Sequence, residues 1–289
     1  MSRWLVTGAG GMLGQDLYAV LSAAGETAAR ASLADLDITS LEACVAAVEG
    51  HDVVVNAAAW TGVDDAGTQE AQAFSVNATG AANIVRACKI SGSRLVQVST
   101  DYVFAGDATT PYGEDAPLAP RSAYGRTKAA GEWAVRAHCP ESWIVRTAWL
   151  YGEYGPNFVK TMARLAVERE KVSVVDDQRG QPTWTVDLSA AILSLVQVQA
   201  PFGIYHGTAS GDTTWFEFAQ EIFRRTGHDP ARVRPTKSQA FERPAPRPAY
   251  SVLGHDAWER AGLPRPRDWR DALQRAQSVW SPSPLQNGR

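Results

Sequence analysis

A tyrosine and a lysine four residues apart are the side chains of this sequence best placed to perform acid chemistry. They lie in Ser122-Ala-Tyr-Gly-Arg-Thr-Lys128, and at helical spacing Tyr124 and Lys128 project from one face. A nearby ammonium stabilises a phenolate and lowers a phenol pKa that is otherwise about 10. Tyr124 would then protonate a carbonyl oxygen as hydride reaches the carbon. Taken alone, this spacing is common in surface helices.

A glycine-rich turn near the start of the chain supports the catalytic interpretation. Thr7-Gly8-Ala9-Gly10-Gly11-Met12-Leu13-Gly14 follows a predicted strand directly and opens a predicted helix. Glycines at 8, 11 and 14 permit a tight turn, a close approach of backbone to a pyrophosphate and close helix packing. The helix N-terminus adds free N–H groups and positive partial charge. The turn therefore predicts a dinucleotide site, and the alternative is a purely structural turn.

The end of the second predicted strand bears on the choice of coenzyme. No Asp or Glu stands near Ala31, where an NAD ribose anchor is expected, and Arg30 stands there instead. An arginine there can pair with a 2′-phosphate, which favours NADPH over NADH. The equally weighted alternative is a solvated surface arginine.

A hydroxyl at the end of a central strand completes the candidate catalytic group. Thr100 follows an apolar run that ends in Val98-Ser99, and open α/β sheets place ligands at the carboxyl ends of their strands. The Thr100 hydroxyl is expected to bind the substrate oxygen or the tyrosine. The alternative is a structural cap at the end of the strand.

These residues need a parallel sheet to position them, and the first half of the chain predicts one. Short apolar runs alternate with helical patterns, which is typical of βαβ units with helices on both faces. The predicted strands are residues 4–7, 27–31, 53–56, 95–99 and 143–147, and the predicted helices are residues 12–24, 40–48, 69–91 and 122–139. The fold class is α/β, a Rossmann-type doubly wound parallel sheet.

The second half predicts a smaller mixed substrate lobe. Its predicted elements are helices at 158–170, 185–198, 215–226 and 268–277, and a strand at 203–207. Residues 243–248 form a proline-rich loop, because proline cannot donate to a helix or a sheet. The expected domains are a dinucleotide-binding domain at 1–150, a sugar-nucleotide lobe at 151–280 interleaved with it, and a disordered tail at 281–289.

Composition excludes several classes of protein. Of the 289 residues, 45% are hydrophobic and 20% charged, and the net charge is -3, so no basic field favours nucleic acid. Three widely spaced cysteines fit neither a disulfide framework nor a zinc site. No apolar run approaches the ~20 residues of a membrane span. The glycine turn comes too early for a secretory signal, so we expect a cytoplasmic protein.

Six segments, among them the one that carries Tyr124 and Lys128, resemble one family, the dTDP-4-dehydrorhamnose reductases of the extended short-chain dehydrogenase/reductase superfamily. They follow in the order of that family between Arg3 and about Leu253. They are Leu36-Asp-Ile-Thr39, Asn56-Ala-Ala-Ala-Trp-Thr-Gly-Val-Asp64, Ser99-Thr-Asp-Tyr-Val-Phe104, Ser122-Ala-Tyr-Gly-Arg-Thr-Lys128, Arg146-Thr-Ala-Trp-Leu-Tyr151 and Asp177-Gln-Arg-Gly-Gln-Pro-Thr183.

The resemblance implies roles for individual residues. Tyr124 is implied as proton donor, Lys128 as its modulator and ribose partner, and Thr100 as the group that tunes the tyrosine. The implied cofactor contacts are Gly11, Met12, Leu13, Asp37, Ile38, Ala57, Ala58, Ala59 and Val98. The implied substrate contacts are Thr100, Asp101 and Trp149.

Three of these assignments have plain structural alternatives. The alanines are also compatible with ordinary buried packing. Asp37 is compatible with a helix N-cap, for which Ser40 competes. Trp149 is compatible with core packing rather than with stacking on a sugar.

The resemblance implies reduction of the 4-keto group of a dTDP-4-dehydro-6-deoxy-L-hexose, such as dTDP-4-dehydrorhamnose, by NADPH or NADH. Tyr102 stands where related dehydratases carry a glutamate, which favours reduction over dehydration. One alternative is a 4-ketoreductase for another antibiotic deoxysugar, and another is a non-catalytic nucleotide-binding subunit. The expected partner is the dTDP-sugar, with no nucleic acid or membrane, and the protein is a monomer or homodimer.

A basic segment at residues 224–247 is a candidate for the substrate diphosphate. Its cations are Arg224, Arg225, Arg232, Arg234, Lys237, Arg243 and Arg247. Arginine suits phosphate geometry, but a charge-rich loop is equally compatible with simple solvation. The five histidines have no metal-ligand spacing, and Asp16 alone matches a magnesium ligand of some family members, so we predict no metal.

Overall fold

A six-stranded parallel sheet lies at the centre of the protein, in a computed structural model that describes residues 1–277. The strands of the described residues are, in chain order, β1 (Arg3–Thr7), β2 (Thr27–Ala31), β3 (Val53–Asn56), β4 (Arg94–Thr100), β5 (Ser142–Thr147), β6 (Leu150–Tyr151), β7 (Val172–Val175), β8 (Arg179–Gly180), β9 (Thr183–Trp184), β10 (Gly203–His206), β11 (Thr213–Thr214) and β12 (Val233–Thr236).

The helices alternate with these strands through the first half of the chain. They are α1 (Met12–Ala23), α2 (Leu41–Val48), α3 (Asp65–Thr68), α4 (Glu70–Phe74), α5 (Ala81–Ser91), α6 (Ala123–His138), α7 (Phe158–Glu168), α8 (Thr185–Gln197), α9 (Trp215–Arg225), α10 (Asp256–Arg260) and α11 (Trp269–Arg275). A π-helical turn at Ser75–Gly80 joins α4 to α5, so the helix predicted at 69–91 is interrupted rather than regular.

The strand order of the main sheet confirms the doubly wound fold class. The order is β10-β5-β4-β3-β1-β2, and every neighbouring pair is parallel. The chain leaves β1 toward one edge and returns to β3 on the other side of β1. This reversal opens a crevice at the carboxyl ends of β1 and β3, where doubly wound proteins bind ligands.

Both faces of the sheet are covered by helices, because the central strands are apolar on both sides. On one face, α1 and α8 pack their leucines and isoleucines against Trp4, Val55 and Trp143. On the other face, α2, α5 and α6 pack against Leu5 and Val54. Burial of each such apolar side chain contributes roughly 1.5–3 kcal/mol, so this double layer holds the crevice rigid.

Residues beyond 150 divide between the main sheet and a second core. The strand we assigned to the second lobe, β10, pairs with β5 along four residues and extends the main sheet, so that assignment was wrong. Periodicity alone cannot decide which sheet a short apolar strand joins. The second core lies between α7, α9 and α11 and contains Phe218 and Trp269. The division of the chain into domains at residue 150 stays a prediction.

The remaining expectations concern loops and termini. Residues 243–248 lie outside every helix and strand, as the prolines predict. The tail predicted at 281–289 falls outside the described residues. Within residues 1–277, no helix combines the length and the apolar character needed to span a bilayer.

Candidate active site

A cleft of about 780 Å³ opens at the carboxyl ends of β1, β3, β4 and β5. Its volume lies within the usual range for small-molecule and cofactor sites, roughly 300–1,000 Å³. The cleft brings together every site residue predicted from the sequence except Arg30. The predicted residues that line it are Gly8, Gly11, Met12, Leu13, Gly14, Asp37, Ile38, Ala57, Ala58, Ala59, Val98, Thr100, Asp101, Tyr124, Lys128 and Trp149. Their roles as ligand-binding or catalytic residues stay predictions.

The glycine turn forms one end of the cleft in a geometry that only glycine permits. Gly8 has φ +67°, and a Cβ there would lie 2.6 Å from the backbone nitrogen of Ala58. A Cβ at Gly14 would overlap the carbonyl oxygen of Gly8. Gly11 begins α1 without a side-chain cap, and the first turn of α1 contains no acidic residue. The helix N-terminus thus presents free N–H groups and positive partial charge, which fit a dinucleotide pyrophosphate.

Asp37 and Ile38 lie at the same end, on the loop before α2. The Asp37 carboxylate accepts from the Thr39 nitrogen (2.9 Å) and hydroxyl (2.7 Å), and these bonds lower its pKa. Ser40, not Asp37, caps α2 by accepting from the Ala43 nitrogen. Asp37 is therefore an exposed rim residue held by its own loop, which leaves it facing the cleft.

Arg30 is the one predicted site residue that does not line the cleft. Its guanidinium donates to the Ala9 carbonyl (3.3 Å) and lies over the Tyr18 ring, 5.1 Å from the centroid. The side chain therefore braces the outer side of the glycine turn. A direct bond from Arg30 to a 2′-phosphate stays a prediction.

The first turns of α6 position the candidate proton donor. Ser122 caps the helix by accepting from the Gly125 nitrogen (3.0 Å), so Tyr124 and Lys128 follow on regular helix. Gly125 lets the helix approach the turn that follows β4, because a Cβ there would overlap the Tyr102 carbonyl oxygen. The Tyr124 ring meets the Tyr102 ring edge-on at 5.5 Å.

The pKa of Tyr124 differs from the expectation that Lys128 lowers it. Burial raises the pKa of Tyr124 to about 12, and the Thr100 hydroxyl acts in the opposite direction. Burial lowers the pKa of Lys128 to about 8, while the charge of Glu132, one turn further along α6, raises it. The Lys128 ammonium donates to the Val98 carbonyl (2.8 Å). Tyr124 therefore carries its proton at neutral pH, which is the form that a proton donor requires.

A buried carboxyl stands next to these groups at the end of β4. Thr100 donates to Asp101 Oδ1 (3.0 Å) and accepts from the Tyr102 nitrogen (3.3 Å). Asp101 Oδ2 is buried and makes no hydrogen bond of good geometry among the described residues. Burial raises the pKa of Asp101 to about 6, and the hydroxyls of Ser251 and Thr100 act in the opposite direction.

Trp149 forms part of the cleft wall in a strained backbone conformation. Its φ of 47° is one of two positive values among the non-glycine residues described, and such strain clusters at functional sites. The Trp215 ring stacks on Trp149 with centroids 3.6 Å apart and 10° between the planes. A Cβ at Gly180 would lie 2.6 Å from the Trp149 ring. These neighbours hold the indole in one orientation at the cleft.

A cleft that joins a glycine-rich turn to a Tyr124–Lys128 pair can be compared with known protein families. The family model described as RmlD substrate binding domain matches residues 2–280 of the 289. The chain belongs to the RmlD family. The resemblance inferred from the six segments is thereby confirmed.

Known proteins resemble this chain over nearly its whole length. dTDP-4-dehydrorhamnose reductase of Streptomyces griseus is 51% identical over 278 residues, which cover 94% of this chain and 91% of the relative. A probable dTDP-4,6-dihydroxy-2-methyloxan-3-one 4-ketoreductase of Streptomyces antibioticus is 50% identical over 277 residues, or 95% of this chain and 94% of the relative. A crystal structure of dTDP-4-dehydrorhamnose reductase from Bacillus anthracis in complex with NADP superposes with TM-score 0.92 at 38% identity, covering 96% of this chain and 98% of that one.

Two positioning groups in this RmlD-family chain escaped the sequence analysis. The first is Asn77, in the π-helical turn, whose amide accepts from the Trp60 nitrogen (2.9 Å) and donates to the Trp60 carbonyl (3.1 Å). It also donates to the Thr127 hydroxyl (3.0 Å) on α6. Asn77 therefore clamps the Trp60 wall of the cleft to the helix that carries Tyr124. A polar residue between small residues was the available signal, because an interior helical asparagine needs buried partners.

The second group is a buried polar row that crosses three strands beneath the cleft. Thr7 donates to Asn56 Oδ1 (2.6 Å), and the Asn56 amide donates to Gln97 Oε1 (2.8 Å). The Gln97 amide then donates to the Val98 carbonyl (3.0 Å), which is the acceptor for Lys128. Polar residues next to apolar ones in these three strands were the signal, since buried polar groups must be paired.

Proposed function

We propose that this protein reduces the 4-keto group of a dTDP-4-dehydro-6-deoxy-L-hexose, converting dTDP-4-dehydrorhamnose to dTDP-L-rhamnose, with NADPH as hydride donor. One observation carries the proposal: the cleft places Thr100, Tyr124 and Lys128 beside a glycine-rich helix N-terminus. The name of the relative from Streptomyces griseus, dTDP-4-dehydrorhamnose reductase, supports the same reaction.

Three residues of the cleft have separate roles in the proposed carbonyl reduction. Reduced nicotinamide, when bound, supplies hydride to C4 of the sugar. Tyr124 gives its proton to the carbonyl oxygen, so that C=O becomes CH–OH, and regains a proton from solvent. The Thr100 hydroxyl stands beside the phenol and lowers its pKa, which makes the proton easier to donate. Lys128 adds positive charge that stabilises the phenolate left behind.

The coenzyme end of the cleft fits a dinucleotide. Backbone N–H groups of Met12 and Leu13 at the start of α1 would hold the pyrophosphate, and the loop of Asp37 and Ile38 would border the adenine. NADPH is the proposed coenzyme, in line with the NADP complex of the relative from Bacillus anthracis, and NADH is the alternative. Comparison of kcat/KM for the two coenzymes tests the choice, and equal values would overturn it.

A second candidate is reduction of a different dTDP-linked deoxysugar. The relative named as a 4-ketoreductase is 50% identical, against 51% for the dTDP-4-dehydrorhamnose reductase, so similarity alone does not separate the two substrates. The catalytic steps at Tyr124 would be identical. The two candidates differ in the configuration of the sugar that contacts Trp149.

A coupled assay with dTDP-4-dehydro-6-deoxysugars tests both candidates. The expected result is oxidation of NADPH that depends on the keto-sugar, with the product configuration read by NMR. Absence of turnover with every keto-sugar would overturn the proposal and favour a non-catalytic nucleotide-binding subunit.

The variant Tyr124→Phe tests the catalytic role directly. We expect kcat to fall about 10²- to 10⁴-fold, the usual contribution of a positioned acid, with an unchanged Kd for NADPH. Tyr154→Phe is the matched control, because Tyr154 is not among the residues that line the cleft. Wild-type kcat in Tyr124→Phe would remove Tyr124 from the mechanism.

The cellular setting is also part of the proposal. We place the protein in the cytoplasm as a monomer or homodimer whose small-molecule partner is the dTDP-sugar. Static light scattering of the purified chain measures the assembly, and a larger oligomer would contradict this assignment.

A further inference from the structure

A sugar nucleotide brings two phosphate groups, and the cleft itself offers little positive charge to receive them. Among the described residues that line it, Lys128 is the one cation, and its ammonium is buried against the Val98 carbonyl. Asp37 and Asp101 add negative charge. A diphosphate inside a partly enclosed site needs charge-assisted hydrogen bonds, and arginine supplies them best. A cation just beyond the lining would supply the charge that the lining lacks.

Most cations of the basic segment at 224–247 are engaged elsewhere. Four are held by acceptors in the second half of the chain: Arg224 and Arg225 by Glu221, Arg232 by the Glu170 carbonyl, and Lys237 by Asp176. Arg234 is exposed on β12. The two that remain, Arg243 and Arg247, instead reach the first half of the chain at Asp64.

Arg247 is the better placed of the two. Its Nη2 lies 2.7 Å from Asp64 Oδ2, and its Nη1 donates to the Ala245 carbonyl (3.1 Å). Its side chain is 18% exposed, against 61% for Arg243. A guanidinium has five N–H donors, so these two bonds leave three for a ligand. The prolines on either side of Arg247 restrict its backbone, which reduces the entropy lost when it binds.

Two contacts place Arg247 next to the cleft. Asp64 directly follows Val63, which lines the cleft, and accepts from the Ala245 nitrogen (3.2 Å). Tyr102 lines both the cleft and a small cavity of about 130 Å³ that Arg247 also lines. The positive charge of Arg247 lowers the pKa of the Tyr102 phenol, although burial has the larger, opposite effect. Arg247 thus lies close to Tyr102, just outside the lining of the cleft.

We propose that Arg247, oriented by Asp64, binds the diphosphate of the sugar nucleotide at the Tyr102 end of the cleft. This inference rests on the proposed function for its substrate class. It assigns the dTDP moiety to the Val63 and Tyr102 walls, with the sugar carrying the keto group toward Tyr124. Asp64 is a positioning residue, because it contacts the guanidinium and leaves donors free for phosphate.

The test measures ligand binding to the full chain saturated with NADP⁺, so that it does not depend on turnover. For Arg247→Ala we expect the Kd for dTDP to rise by about 10- to 100-fold, as for loss of hydrogen bonds to a charged group. Calorimetry measures dTDP, and ligand-observed NMR measures thymidine, which lacks the diphosphate and should bind equally to both proteins. Arg247→Lys should give an intermediate Kd for dTDP, because the lysine ammonium keeps the positive charge but lacks the paired N–H donors of the guanidinium.

The controls separate this role from a structural one. Arg224→Ala removes an exposed arginine of the same segment, on α9, and should leave the Kd for dTDP unchanged. Asp64→Asn should raise the Kd for dTDP less than Arg247→Ala does. An unchanged Kd for dTDP in Arg247→Ala, or an equal loss of thymidine and dTDP binding, would overturn the inference. If the wild type binds dTDP through Arg247 but reduces no keto-sugar, this subsite stands and the proposed function fails.

Discussion

The packing of Gly180 against Trp149 allows a sharp test of the proposed contact between Trp149 and the sugar. In Gly180→Ala the added methyl would lie 2.6, 2.7 and 2.9 Å from three atoms of the indole. Carbon atoms in contact normally stand about 3.5–4.0 Å apart, so the ring must retreat by about 1 Å. The Trp215 ring, stacked at 3.6 Å, restricts where it can go. Overpacking of this kind costs about 1–3 kcal/mol of folding free energy.

The expected effect on function exceeds the effect on stability. Displacement of a substrate-positioning group by about 1 Å can reduce turnover about 100-fold. We therefore expect Gly180→Ala to lower kcat/KM for the keto-sugar by about 10- to 100-fold, with Tm reduced by a few degrees and the Kd for NADPH unchanged. Steady-state kinetics and thermal unfolding measure the two effects on the same preparation.

Two further variants make the reasoning refutable. Gly67→Ala is the control, because nothing lies within 4 Å of the added methyl and the backbone there is helical. In a Trp149→Ala background, which should itself raise KM, the clash is gone and Gly180→Ala should have no further effect. Wild-type kinetics in Gly180→Ala, or full additivity with Trp149→Ala, would show that Gly180 does not position the indole.

Two other predictions follow from buried polar groups. Lys128→Met should abolish most turnover yet raise the free energy of unfolding at pH 7, because burial lowers the pKa of Lys128 to about 8 and so penalises its charged form. The gain in unfolding free energy, at most roughly 3 kcal/mol, should shrink as the pH rises from 8 toward 10.5, where the ammonium loses its proton. Denaturant titrations at several pH values measure this gain. An equal gain at every pH would contradict this. Asn77→Ala should destabilise the fold by about 2–4 kcal/mol and weaken NADPH binding, because it leaves the Trp60 backbone and the Thr127 hydroxyl unpaired. Denaturant unfolding and titration with the coenzyme measure the two effects. Wild-type values in both measurements would show that the hydrogen bonds of Asn77 are dispensable.

The sequence predicted the parts of the site that depend on local chemistry. Gly8 and Gly14 were predictable because a tight turn with a close backbone approach tolerates no Cβ. Tyr124 and Lys128 were predictable as neighbours because helical spacing places them on one face. The carboxyl-end location of Thr100 followed from the rule for open parallel sheets, and the structure brings all five residues to one cleft.

The features that were missed depend on contacts between distant segments. The burial that raises the pKa of Tyr124 comes from the assembled cleft, so local spacing with Lys128 predicted the opposite direction. The strand β10 has an apolar pattern that suits either core, and its pairing with β5 is decided by tertiary packing. The position of the Arg247 side chain depends on its hydrogen bond to Asp64, which is 183 residues away in the chain.

The polar row beneath the cleft has a directional consequence. All of its donors, from Thr7 through Asn56 to Gln97, point the same way, and successive dipoles aligned in a low-dielectric interior reinforce one another. The Val98 carbonyl at the far end already accepts a hydrogen bond from the polarised Gln97 amide, so it is a weaker acceptor for the Lys128 ammonium, and the row opposes the charged form of Lys128. A conservative change at Thr7 on β1 would thus alter the basicity of the Lys128 amine on α6, although Thr7 lies two strands away from β4 and is not among the residues that line the cleft.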